Sequence, residues 1–119
     1  ISYAMRYPAR MALDLPSLDL TEIGRLTFCK PDHDRFPCLN LGYESLRIGG
    51  TMPAAMNAAN EIAVDAFLNH GLRFSEIPQV IRSTMEAHAH QEITCLDDAL
   101  EADRWAREKA ESLVHALPR

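Results

Sequence analysis

The chain has 119 residues, 47% of them hydrophobic and 24% charged, an ordinary globular mixture sized for one domain of modest size. Twelve basic against 17 acidic residues leave a formal net charge of -5, which argues against non-specific nucleic-acid binding because that needs a basic footprint. No apolar run approaches the roughly 20 residues of a membrane helix.

Residues 1–35 carry no long helical period and are punctuated by Pro8, Pro16, Gly24 and Pro31. The opening ISYAMRYP has neither an initiator Met nor a basic n-region before an apolar core. It is therefore expected not to be a signal peptide, and the chain reads as a piece of something longer. Leu13-Asp14-Leu15 and Leu18-Asp19-Leu20 alternate apolar and acidic residues, and Leu26-Thr27-Phe28 is rich in strand-forming types. This third is expected to be a tether with short strands that lean on another part of the protein.

From Phe36 onward the pattern is helical. Pro37 opens a first helix that Gly49-Gly50 stops, and Thr51 caps a second with Pro53 in its first turn. Gly71 closes the second helix after His70. Ser75 caps a third, with Glu76 and Pro78 in its first turn, fading near His88 to His90. Thr94 and Asp97 resemble a capping box for a last helix that runs to about Leu117 and stops at Pro118. The expected fold class is mainly α. A four-helix bundle-like domain at 36–119 follows an extended linker with short strands at 1–35.

The second helix carries Asn57, Asn60 and Glu61 at helical spacing. A wheel sets them among Val64 and Leu68 and leaves only a narrow strip with Ala58, Asp65 and Asn69 for water. The trio is thus expected to be largely buried and hydrogen-bonded. A metal site, part of a catalytic site and a structural knot are all open. One carboxylate with two amides is a weak ligand set, so a knot to the incoming segment around Leu26–Phe36 is the expectation.

On the last helix, Leu96, Ala99, Leu100, Ala106, Ala110, Leu113, Val114 and Leu117 form the apolar stripe. Asp103 and Arg107 fall inside it as a partly buried ion pair, with an anion site on Arg107 as the sharper alternative. Trp105 falls opposite, as a lone exposed aromatic or a contact to a missing partner. Asp32-His33-Asp34 reads as a solvated acidic loop. His88 and His90 read as a helix end favoured by the dipole rather than a zinc site. Cys29, Cys38 and Cys95 are odd in number and have no C-x-x-C spacing, so reduced thiols in a cytoplasmic setting are expected. No dinucleotide fingerprint, P-loop, nucleophile elbow or H-E-x-x-H is present.

The run LTFCKPDHDRFPCLNLGYESLRIGGTMPAAMNAANEIAVDAFL, together with RFSEIPQVI and LDDALEADRWAREKA, resembles the C-terminal part of the 1-deoxy-D-xylulose-5-phosphate reductoisomerase family. The opening ISYAMRYPAR looks like the end of that family's catalytic domain. The resemblance implies a homodimeric parent enzyme that uses NADPH and a divalent Mg or Mn. Such an enzyme rearranges and reduces deoxyxylulose phosphate to methylerythritol phosphate in isoprenoid biosynthesis. The family's nucleotide motif, metal ligands, phosphate site and mobile loop lie upstream. The resemblance therefore implies no catalytic, metal or cofactor residue in this chain. What it implies instead is a supporting domain whose partners are the remaining domains of the same enzyme. The alternative is a stand-alone helical interaction module, or a regulatory subunit that binds the enzyme.

Overall fold

In the computed structural model, residues 1–117 are described, and the expected stop at Pro118 lies outside them. The chain divides into two compact units, Ile1–Lys30 and Pro31–Arg119.

The first unit holds two short helices, α1 (Ser2–Arg6) and α2 (Leu20–Ile23), neither with a buried residue. Asp19 starts α2 by accepting from the Thr21 backbone N–H at 2.8 Å and the Thr21 hydroxyl at 2.6 Å. Those bonds, from the Thr21 hydroxyl first and its backbone N–H second, hold the Asp19 carboxyl below the usual range. The expected strands do not form: no strand is present among the described residues. A strand needs a neighbour for its backbone groups, and residues 11–19 and 24–32 stay irregular without one.

In the second unit four helices follow: α3 (Cys38–Ile48), α4 (Met52–Leu68), α5 (Ile77–Ala87) and α6 (Leu96–Ala116). Alanine places α4 at the centre. Ala55, Ala58, Ala59 and Ala63 are fully buried, and their small side chains let neighbouring backbones come close. α4 packs against α3, α5 and α6. The stripe Ile77, Val80, Ile81, Thr84 and Met85 seats α5 at i, i+3, i+4, i+7 and i+8. The Thr84 hydroxyl, buried in that stripe, donates to the Val80 carbonyl at 2.9 Å.

Several helix ends differ from expectation for local reasons. Asp98, not Asp97, starts α6: its carboxylate accepts from Thr94 N–H at 2.7 Å, Thr94 hydroxyl at 2.8 Å and Cys95 N–H at 3.0 Å. Cys95 is the N-cap, which makes Asp98 the third helical residue, where a carboxylate reaches back. α5 begins after a 3-10 turn at Phe74–Glu76 and has no side-chain cap from Ser75; the turn itself is closed by Glu76, which accepts from Arg73 N–H at 2.7 Å. α4 ends at Leu68, and the left-handed residue behind it is His70 (φ 59°), not Gly71.

On α6 the buried line is Ala102, Ala106 and Ala110, whereas Leu96 and Leu100 of the expected stripe are exposed. The alanines meet the alanine-rich α4, and a leucine line would hold the axes farther apart. No helix among the described residues is long and apolar enough to cross a membrane.

Candidate functional site

The Gly49-Gly50 break does more than stop α3. Gly50 has φ 51°, and a Cβ there would collide with the carbonyl oxygen of Gln91. Glycine is required because the segment after α5 lies directly on this turn. Thr51 N–H donates to the Gln91 carbonyl at 2.8 Å, and Gln91 N–H donates to Thr51 Oγ1 at 3.0 Å. Thr51, expected to cap α4, therefore spends its hydroxyl across the fold and makes no side-chain cap.

The same hydroxyl lies 2.9 Å from Nε2 of His88. Its oxygen accepts from Gln91 with one lone pair, so it can donate its hydrogen to an unprotonated Nε2 or accept from Nε2–H with the other. Burial, and then the charge of His90, lower the His88 pKa, which favours the neutral ring. The ring lies 5.0 Å from that of Trp105, tilted by 39°. Trp105 itself packs against Ala55, Ala58 and Ala106. It is half-buried rather than a lone exposed aromatic. Thr51, His88, Gln91, Trp105, Asp98 and Glu101 line a recess of about 250 Å³.

The polar trio lies elsewhere on α4. Asn57 donates to Glu61 Oε1 at 3.0 Å, and Glu61 Oε2 accepts from Arg107 of α6 at 2.6 Å. Arg107 also donates to both carboxylate oxygens of Asp103, Nε to Oδ2 at 2.8 Å and Nη2 to Oδ1 at 3.0 Å. Asn60 is half-buried and takes no part in this chain of bonds. Asn57 and Glu61 are exposed, against the expectation that all three are buried. Of the strip expected to face water, Asp65 and Asn69 are exposed, whereas Ala58 is fully buried under α6. The helix is rotated relative to the wheel reading because α6 claims its alanines, not its larger apolar residues. The partner of Glu61 is Arg107 of α6, not the backbone around Leu26–Phe36.

Chemically this arrangement is a brace. The guanidinium sits between two carboxylates, bonds to both and offsets one of their two negative charges. Its bonds, from Arg107 first and Asn57 second, hold the Glu61 carboxyl below the usual range. Among the described residues no three His, Cys, Asp or Glu side chains converge to hold a metal ion. The donor set for a divalent cation is thus not made by these residues, nor is there a glycine-rich strand-to-helix turn for a dinucleotide.

The second unit is thus an α-helical domain whose two central helices are braced through Arg107. The model of the DXP reductoisomerase C-terminal domain matches residues 1–109, and the chain belongs to that family. It is 47% identical over 117 residues to the 1-deoxy-D-xylulose 5-phosphate reductoisomerase of Trichlorobacter lovleyi, covering 98% of this chain and 30% of that protein. It is 52% identical over 114 residues to the same enzyme of Chlorobium phaeobacteroides, again covering 30% of it. Among solved structures, the Zymomonas mobilis reductoisomerase in complex with NADPH superposes with a TM-score of 0.84 at 38% identity, over 98% of this chain and 31% of that one. A DOX-P reductoisomerase in complex with magnesium superposes with a TM-score of 0.81 at 30% identity, over 99% of this chain and 32% of that one. The chain spans about 30% of the length of the curated relatives it matches.

Proposed function

We propose that this chain is the supporting C-terminal portion of a cytoplasmic, homodimeric, NADPH-dependent reductoisomerase. The parent converts 1-deoxy-D-xylulose 5-phosphate to 2-C-methyl-D-erythritol 4-phosphate with Mg or Mn. Residues 36–119 are its helical domain, and residues 1–35 are the end of the catalytic domain plus a linker. The observation that carries this reading is the family match over residues 1–109, together with a TM-score of 0.84 to a relative solved with NADPH. On this reading NADPH and the metal are held by other parts of the parent; in support, no three His, Cys, Asp or Glu side chains converge among the described residues. Asn57, Glu61, Asp103 and Arg107 serve the fold and do no chemistry, and Asn60 belongs to the same supporting face.

The test is expression of the complete open reading frame. The full protein should oxidise NADPH when given deoxyxylulose phosphate and Mg, and residues 1–119 alone should not. Turnover by the 119 residues, or a full protein inert toward this substrate, would overturn the proposal.

A further inference from the structure

On a helical wheel α3 carries an uncharged arc of roughly 220°, about twice the ~100° that a helix needs to pack on one side. Half of that arc is used inside the domain, where Leu41 and Ser45 are buried. The other half is Leu39, Tyr43 and Leu46, at i, i+4 and i+7, exposed by 41%, 52% and 70%. Single exposed apolar residues are ordinary, but these three form a line. They border a groove of about 500 Å³ completed by Pro53 and Met56 of α4. No charged side chain lines the groove.

The geometry points to this face of α3 as the seat of an uncharged, apolar surface from the remainder of the same polypeptide. The inference rests on the reading of the chain as a domain of a longer enzyme, since it spans 30% of its relatives. The size of the patch selects the occupant. From Leu39 to Leu46 the line is roughly 10 Å long. Stable association of separate chains buries about 800 Å² on each partner, more than such a line supplies. A segment of the same polypeptide needs less, because its effective concentration is high.

Thiol labelling of the full-length protein tests this. Leu46→Cys and Glu44→Cys place a thiol on two exposed sides of one helix, and labelled peptides are resolved by mass spectrometry. Leu46→Cys should react with a maleimide at least about tenfold more slowly than Glu44→Cys, because a covered thiol reacts only through local opening. Equal rates would overturn the inference. So would protection that disappears on dilution, which would make the occupant a second copy. Should Leu46→Cys fail to fold, a photoreactive benzoylphenylalanine replacing Tyr43 gives the second reading. It should crosslink to a peptide of the same polypeptide outside residues 1–119, and crosslinks only to residues 1–30 or only to another chain would overturn the choice. Neither readout uses turnover, so an inactive full protein with a protected Leu46→Cys would defeat the functional proposal and leave this one standing.

Discussion

Arg107 of α6 reaches Glu61 of α4 with 2.6 Å between Nη2 and Oε2, while its other contacts hold Asp103 one turn back on its own helix. The guanidinium thereby ties the two central helices at the edge of their alanine interface. All three side chains are at least a third exposed, so the brace acts more on helix register than on total stability. Arg107→Ala should lower the thermal midpoint slightly, and 1 M salt should shrink the difference from the parent protein. A midpoint difference that survives high salt unchanged would exclude the charge-based account. The lowered pKa of Glu61 gives a pH signature too. Its contribution is complete above its ordinary 4.5 and is lost as pH falls through its depressed folded value.

His88 should act in the opposite part of the pH scale. The fold keeps it neutral, so its pKa lies below the ordinary 6.5. The unfolded chain takes up the proton first. The associated stability is complete above about pH 6.5 and declines as pH falls below it. His88→Gln should flatten the stability profile between neutral pH and pH 5, read by urea denaturation. An unchanged slope would show that His88 does not set it.

Thr51→Val removes one hydroxyl that serves both His88 and Gln91 N–H. The valine fills the same space but strands these partners, at a cost of about 1–3 kcal/mol. Amide exchange should show Gln91 N–H losing protection before the amides of α5.

Gly50→Ala should be more damaging than its size suggests. The left-handed backbone alone costs a non-glycine residue roughly 1–2 kcal/mol, and the added Cβ meets the Gln91 carbonyl as well. Gly49→Ala shares the positive φ but has open space around its Cβ. Denaturant titration should therefore rank Gly50→Ala below Gly49→Ala.

Asp98→Ala should fray the start of α6, detected as faster amide exchange at residues 94–98. Hydrogen bonds from Thr94 and Cys95 backbone N–H groups hold the Asp98 carboxyl at about 2. Its contribution is present above its ordinary 3.8 and is lost as pH falls from there toward 2. Acid unfolding of the variant should lack this component.

Ala58→Leu tests the alanine seam. Ala58 is fully buried with Ala55 and Ala106, and overpacking such a site costs about 1–3 kcal/mol. The same change at Ala54, which is half-buried on α4, should cost less.

The sequence by itself determined where helices lie, because caps, prolines and glycines act on near neighbours. Pro37, the Gly49-Gly50 break and the Ile77–Met85 stripe are read within a few residues of the elements they set. Family membership was legible for the same reason, in contiguous runs such as PAAMNAANEIAV. Only the tertiary structure decided which face of α4 is inside. A wheel ranks faces by hydrophobicity, whereas α6 selects Ala55 and Ala58 because small residues permit close approach. The partners of Glu61 and Thr51 stand 46 and up to 40 positions away, and no local pattern encodes them. The strands expected before Phe36 failed for the converse reason. Their residue types were right, but a strand exists only when another strand satisfies its backbone, and that is a property of the fold rather than of the segment.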